Sequence, residues 1–138
     1  MGYDLISKSK DVGFQPTGML FTWPQILNET GAGYLFGYGI NTVGPGSYIY
    51  NGLRGPGSPV SNDGFDVTDY EAKVMARLFG GYVFVKRAIR EHWDALSEME
   101  RRAILDINSN RCPPSTEFIN KVESLIDFCE NSGGFTIE

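Results

Sequence analysis

The second half of the chain repeats apolar residues at helical spacing. Thr68 followed by Glu71 forms a capping box, which is typical of a helix start. Asp66 and Asp69 add negative charge where the helix dipole favours it. The apolar stripe beyond is spaced by threes and fours and consists of Met75, Leu78, Tyr82, Val85, Ile89 and Trp93. Gly80-Gly81 costs about 1 kcal/mol per glycine relative to alanine, which indicates close packing against another element or a kink.

Two more helices and a strand follow. Ser97 with Glu100 predicts a helix through about Ile107, and a turn from Asn108 to Pro114 separates it from the next. Ser115 opens a third helix, which ends at Ser132-Gly133-Gly134, and residues 135–137 are expected to return as a strand. The side chains expected to face inward on the third helix are Phe118, Val122, Leu125, Ile126 and Cys129.

The first half favours short strands around one short helix. Residues 3–7 predict a strand, and residues 12–21 an irregular or edge strand interrupted by proline. Between them and the glycine-rich region, residues 22–30 predict a helix with Thr22 as its cap, Gln25 completing the capping box and Gly31 as its stop.

A glycine- and aromatic-rich segment, residues 31–65, predicts two more strands at 33–41 and 47–53. Tyr34, Phe36 and Tyr38 would share one face of the first, with glycines largely opposite. A face made of glycine indicates that another backbone, or a ligand, approaches closely. We expect the loop from Gly52 to Gly64 to lie on the surface and to be mobile.

Strands early and helices late predict an α+β fold. We expect a single domain over residues 1–138, with a small antiparallel sheet from the N-terminal half and three helices from the C-terminal half. No apolar run reaches the roughly 18 residues of a membrane span, and no secretory signal begins the chain. We therefore expect a cytoplasmic protein.

Charge limits the partners. The net charge of −5 argues against general nucleic-acid binding, which needs excess Lys and Arg to neutralise phosphates. The two cysteines, Cys112 and Cys129, are expected to be reduced thiols, with Cys129 buried on an apolar helix face.

Short motifs resemble a family of small bacterial and phage proteins of unknown function. The matching pieces are Gly2-Tyr3-Asp4, Trp23-Pro24, Asn62-Asp63-Gly64 and the run from Phe128 to Phe135 that ends in Ser-Gly-Gly-Phe. The glycine-rich insert at 31–59 is not part of that pattern. The resemblance implies a prokaryotic or phage source and brings no activity with it.

Familiar catalytic and cofactor motifs are missing from the sequence. One histidine (His92) and two cysteines 17 residues apart fit no zinc spacing, and the region around Gly64 does not fit a calcium-binding EF-hand loop. A looser cation site from Asp63, Asp66 and Asp69 competes with helix capping as their role. Neither a P-loop nor a Gly-x-Gly-x-x-Gly pattern occurs. We predict no metal and no cofactor, and binding rather than catalysis.

The candidate ligand site lies in the glycine-rich segment. From Val12 to Asn62 only Glu29 and Arg54 carry charge. Arg54 between glycines would pair with an anionic group while neighbouring tyrosines stack on a base. The alternative is a twisted sheet with glycine turns and Arg54 in solvent. The predicted ligand-binding set is Arg54, Tyr34, Tyr38, Tyr48, Tyr50 and Asn51.

Three functional hypotheses follow. The first is a non-enzymatic protein that holds a small anionic, nucleotide-like ligand, such as a phage protein that sequesters a host signalling nucleotide. The second is a protein–protein inhibitor, of immunity or anti-defence type, that offers an acidic surface and the 52–64 loop to a basic host protein. The third is an enzyme of unrecognised type.

Overall fold

Each of the three long helices in the second half is preceded by an N-cap residue whose side chain accepts a hydrogen bond from a backbone N–H of the first turn. The computed structural model describes residues 2–10, 15–18, 22–36, 59–60 and 63–138. Helix α2 spans Asp69–Ala95 after the N-cap Thr68, α3 spans Glu98–Ile107 after Ser97, and α4 spans Thr116–Asn131 after Ser115. Of the three predicted capping boxes, Thr68 with Glu71 and Ser97 with Glu100 are present. The three predicted C-terminal helices are confirmed.

The sheet is built around a strand from the end of the sequence. Strands β1 (Leu5–Ser7) and β2 (Phe65–Val67) each pair antiparallel with β3 (Phe135–Ile137). In the register, Leu5 and Phe65 both lie opposite Ile137. The α+β class with a small antiparallel sheet is confirmed, and the last predicted strand is its centre.

The core lies between this sheet and the helices. Helix α1 (Thr22–Thr30) ends at Gly31, as predicted, and turns Trp23, Ile26 and Leu27 inward. Helices α2 and α4 pack against each other and share the core with the sheet. The largest fully buried side chains include Trp23, Phe65, Phe79, Phe135 and Met75.

A buried hydroxyl joins α1 to α2. The Tyr82 hydroxyl donates a hydrogen bond of 3.0 Å to Glu29 Oε2, and Glu29 Oε1 accepts one of 3.3 Å from the Gln25 side chain. Burial, followed by the bond to Glu29, raises the pKa of Tyr82. Glu29, one of the two charges between residues 12 and 62, therefore has a structural partner.

Several predicted details are wrong. Residues 32–36 form a 3₁₀ helix, Ala32–Phe36, where a strand starting at residue 33 was expected. Val85 and Ile89 are 49% and 42% exposed, whereas Phe79 and Val83 are buried. The α2 stripe therefore points inward through Phe79 and Val83, because the position of α4 decides which face is covered.

Glycine positions and helix starts differ as well. A Cβ placed at Gly80 or Gly81 would have no neighbour within 4 Å in the described part of the chain, so close packing there does not explain this pair. Asp66 lies in β2 rather than in a helix, and its carboxylate pairs with Lys8 at 2.6 Å. Thr22, predicted as the N-cap, is the first residue of helix α1.

The end of the predicted surface loop is anchored. The Trp23 indole N–H donates a hydrogen bond of 2.9 Å to the carbonyl of Pro59, which is buried. The Tyr3 hydroxyl donates one of 2.7 Å to the Val60 carbonyl. At Pro59 the expectation of a surface position is wrong, and the carbonyls of both residues accept hydrogen bonds from core and half-buried side chains.

Two predicted strands are only partly covered by the described residues. Residues 15–18 form no strand, although the Leu5 backbone N–H donates to the Pro16 carbonyl at 2.9 Å. The predicted strand at 47–53 lies outside the described residues. Of the helices in the described ranges, none combines the length and apolar character that crossing a membrane requires.

Candidate functional site

The predicted ligand set falls mostly outside the described residues. Arg54, Tyr38, Tyr48, Tyr50 and Asn51 all lie there, and Tyr34 alone is described. Tyr34 sits on the 3₁₀ helix with its side chain 59% exposed. Its neighbour Phe36 is instead buried, edge-to-face against Phe65 at 5.3 Å between ring centroids. The expected common face of Tyr34 and Phe36 is therefore wrong.

A cleft of about 780 Å³ lies where α2 ends and α3 begins. Trp93, 8% exposed, comes from the last turns of α2. Cys112 closes the cleft from the segment before α4. The charged side chains along the cleft all come from α3 and are Glu98, Arg101, Arg102 and Asp106.

Local sequence explains how α3 presents these groups. Leu96 ends α2 with its N–H bonded to the Trp93 carbonyl at 3.1 Å, and Ser97 immediately caps α3. Positions 98, 101, 102 and 105 are three or four residues apart and so lie on one helix face. Helix α3 has no buried residue, and on this face Arg101 and Leu105 are partly buried whereas Glu98 and Arg102 are exposed.

The guanidinium of Arg101 has an unused donor in this cleft. Its Nε is buried, and no acceptor among the described residues bonds to it. Arg102 differs, since its Nη2 lies 3.5 Å from Glu98 Oε1 in an ion pair whose side chains are 74% and 87% exposed. A buried N–H without an acceptor costs about 1–3 kcal/mol. A ligand oxygen or a water at this position would remove that cost.

Arg90 fixes the side of the cleft that carries Cys112. Its Nη1 donates to the carbonyls of Pro113 and Pro114, each at 3.5 Å, and its Nε lies 3.3 Å from Asp94 Oδ1. These contacts tie the segment before α4 to α2. Cys112 itself is exposed and reduced.

Hydrogen bonding also lowers the pKa of a carboxyl group on α3, that of Glu100. Glu100 Oε1 accepts a bond of 3.0 Å from the Ser97 backbone N–H. Bonds to the backbone and the side chain of Ser97, with a smaller contribution from His92, hold the pKa of Glu100 below its usual range. His92 is exposed near the end of α2, where the sequence placed it.

The other candidate groups have structural roles. Lys73 Nζ lies 3.0 Å from Asp69, and Lys8 pairs with Asp66, so these acids do not converge on a cation. Across the described ranges, no three His, Cys, Asp or Glu side chains cluster in a way that would hold a metal ion. Cys129 is buried as predicted, and burial raises the pKa of its thiol.

Comparison of the chain with protein-family models, with curated proteins and with solved structures finds no match. The resemblance to small phage and bacterial proteins therefore stays a prediction. The arginines of α3 were not among the predicted site residues. The signal that was available is the recurrence of Arg101 and Leu105 four residues apart, eight and twelve residues beyond a buried tryptophan.

Proposed function

We propose that the protein binds a small anionic, nucleotide-like ligand without transforming it, and that the cleft between α2 and α3 takes part in holding it. The observation that carries the proposal is Arg101, which lines a cleft of about 780 Å³ and whose buried Nε has no acceptor among the described residues. Ligand pockets for small molecules commonly measure about 300–1,000 Å³.

Each lining group suits one part of such a ligand. Guanidinium groups bind phosphate or carboxylate oxygens through charge-assisted hydrogen bonds. The carboxylates of Glu98 and Asp106 would accept bonds from sugar hydroxyls, and Trp93 supplies an apolar floor. Two acids against two arginines leave the lining neutral, which favours a ligand with both anionic and hydroxyl groups over a bare anion.

Arg54 and its tyrosines remain part of the proposal as a second place for the anionic group. The resemblance to phage and bacterial proteins supports a setting in which the protein sequesters a host signalling nucleotide in the cytoplasm. Binding is favoured over catalysis because the cleft supplies groups that hold an anion, a hydroxyl and an apolar surface.

The first test is the mass of whatever leaves the purified protein on denaturation. We expect a small molecule with nucleotide-like ultraviolet absorbance, detected by mass spectrometry. If none is released, a panel of nucleotides should still raise the melting temperature of the protein. A bare protein whose melting temperature no nucleotide moves would contradict the proposal.

Variants then assign the site. Arg101→Ala should abolish the thermal shift, whereas Arg102→Ala, a neighbouring arginine already paired with Glu98, should keep most of it. If Arg54→Ala abolishes the shift and Arg101→Ala does not, the ligand lies in the glycine-rich segment and the cleft is not the site.

The protein–protein inhibitor remains an alternative prediction. It depends on the 52–64 loop, of which only residues 59–60 and 63–64 are described. Capture of a host protein from lysate at low salt, lost at high salt because screening weakens exposed charge pairs, would favour it.

A further inference from the structure

Helix α2 exposes one large aromatic side chain on the side away from the core. Phe84 is 79% exposed, whereas the half-exposed Val85 and Ile89 lie about 100° and about 140° around the helix from it. Phe84 lines a groove of about 440 Å³ whose apolar walls are Gly80, Val83 and Ala88 of α2 and Ile126 of α4. Three charged side chains, Arg87, Glu91 and Glu123, complete the lining. A largely exposed phenylalanine therefore stands beside an open groove with both apolar and charged walls.

Hydrogen bonds between α2 and α4 run along one edge of the groove. Arg87 of α2 donates through Nη2 to Glu123 Oε1 at 2.9 Å and to Asn120 Oδ1 at 2.8 Å, both on α4. The bond from Arg87 keeps the pKa of Glu123 below its usual range. These hydrogen bonds connect the two helices along the edge of the groove, so the groove is formed before anything binds.

Besides the Arg87–Glu123 pair, this face carries two charges that are placed symmetrically about Phe84. Arg77 lies seven residues before it and Glu91 seven residues after it. Seven residues are nearly two helical turns, so both side chains lie close to the direction of Phe84. Both are exposed, and within the described residues neither takes part in a salt bridge or side-chain hydrogen bond.

We propose that a second copy of the chain docks on this face, with the two α2 helices antiparallel and the two-fold axis passing near Phe84. Each Phe84 then enters the groove of the other copy. Antiparallel pairing brings a residue before the axis opposite the residue equally far after it, so Arg77 of each copy meets Glu91 of the other. A closed two-fold interface needs a self-complementary patch of this kind.

The same pairing accounts for the mid-helix glycines. Gly80 and Ala88 lie four residues on either side of Phe84 and face each other across the axis. Among the described residues, nothing comes within 4 Å of a Cβ at Gly80 or Gly81, so contacts within that part of the fold do not require glycine there. An incoming aromatic ring does require it, because a side chain at position 80 would narrow the groove.

A second copy fits this face better than an unrelated partner. The Phe84 ring, the groove, the positive charge and the negative charge all come from one surface, at spacings that match only when the surface meets itself. The face is separate from the cleft at the end of α2, so the inference does not depend on the proposed ligand.

The first experiment is sedimentation equilibrium over a wide concentration range. We expect the wild-type protein to pass from monomer to dimer, and Phe84→Glu to stay monomeric because it replaces the apolar ring that enters the groove of the other copy with a carboxylate. Ile107→Glu is the matched control, since Ile107 is 83% exposed on α3, away from this face, and should dimerise like the wild type.

A charge exchange then tests the antiparallel register. Arg77→Glu and Glu91→Arg alone should each raise the dissociation constant about tenfold or more, because each sets like charges against each other twice. The double variant R77E/E91R should regain dimerisation, and mixing the two single variants should give a heterodimer. Since both positions are exposed, circular dichroism should show unchanged folding.

Three results would overturn the proposal. One is a double variant as weak as the single ones, which excludes this register. Another is a Phe84→Glu protein that dimerises normally. The third is a wild-type protein that stays monomeric over the whole concentration range. In that case other residues of the same chain, or a different protein, cover the Phe84 face.

Discussion

At the scale of single residues, Gly134 is where three backbone segments meet most closely. Its φ is +94°, and a Cβ there would lie 2.6 Å from the Val67 carbonyl oxygen and 3.0 Å from the Asp69 nitrogen. Its own carbonyl accepts a hydrogen bond of 2.9 Å from the Lys8 N–H. The turn into β3 thus runs between β1 and the start of α2 with no room for a side chain.

Gly134→Ala should therefore be among the most destabilising single changes in the protein. We expect a loss of more than about 2 kcal/mol in the free energy of unfolding, from the left-handed backbone together with the clash. Urea denaturation followed by circular dichroism measures it.

Gly133→Ala is the matched control for that change. Gly133 also has a positive φ, +70°, but its Cβ would sit at an ordinary 3.7 Å from the Ser9 side chain. It should cost only about 1–2 kcal/mol, the backbone part of the penalty. Equal losses for the two variants would show that the clash at Gly134 is relieved and carries no energy.

The two glycine pairs show what sequence can and cannot reveal. Gly80-Gly81 and Gly133-Gly134 are the same dipeptide in the sequence. Close packing or a kink was expected at the first pair. The structure finds close approach at Gly134 and open space at Gly80 and Gly81. The difference lies in which distant segment comes near, and no local pattern encodes that.

At the scale of elements, α3 is held mainly by its ends. It has no buried residue, yet Ser97 Oγ accepts the Glu100 N–H at 3.1 Å while Glu100 accepts the Ser97 N–H at 3.0 Å. Since packing contributes little, the capping box has a large share in fixing where Arg101 points.

The pKa of Glu100 should report this cap. Its folded pKa is lowered by the bonds to Ser97, so the stabilisation is complete above the unfolded pKa of about 4.3 and is lost as the pH falls through the lower folded value. Carboxyl NMR titration should find the depressed pKa, and Ser97→Ala should raise it toward the usual range.

Ser115→Ala is the control, because it removes the N-cap of α4 and leaves α3 untouched. It should not move the Glu100 titration. A Glu100 pKa that Ser97→Ala leaves in place would assign the shift to another neighbour.

Helix starts were predictable because capping is local. Thr68, Ser97 and Ser115 each act within three residues along the chain, and all three perform as the pattern indicated. Which face a helix buries depends on its neighbours, so Val85 and Ile89 were assigned to the wrong side. The cleft was missed for the same reason, since Arg101 becomes distinctive only beside Trp93.

At the scale of the whole molecule, β3 connects parts of the chain that are far apart in sequence. It is hydrogen-bonded on one edge to β1 and on the other to β2. Its Phe135 ring contacts Phe128 at 5.3 Å and Trp23 at 6.3 Å between centroids. All three strands supply buried side chains to the core, and β3 does so from the centre of the sheet.

Ile137→Ala should test that role. Ile137 is fully buried in β3, so the variant should lose about 2–5 kcal/mol of unfolding free energy through lost burial and the cavity left behind. The same change at Ile107, 83% exposed, should move the urea midpoint little. Similar losses at both positions would mean that β3 does not carry the core.

The central position of β3 also sets an order of events during synthesis. Strands β1 and β2 have no pairing with each other, so their antiparallel ladder waits for residues 135–137. Helices can form from local contacts. Pairing residue 5 with residue 137 instead closes a loop of more than 130 residues, and its entropy cost must be met before the pairing stabilises the fold. On the ribosome, Leu5 and Phe65 must stay without their strand partners until Ile137 has left the exit tunnel.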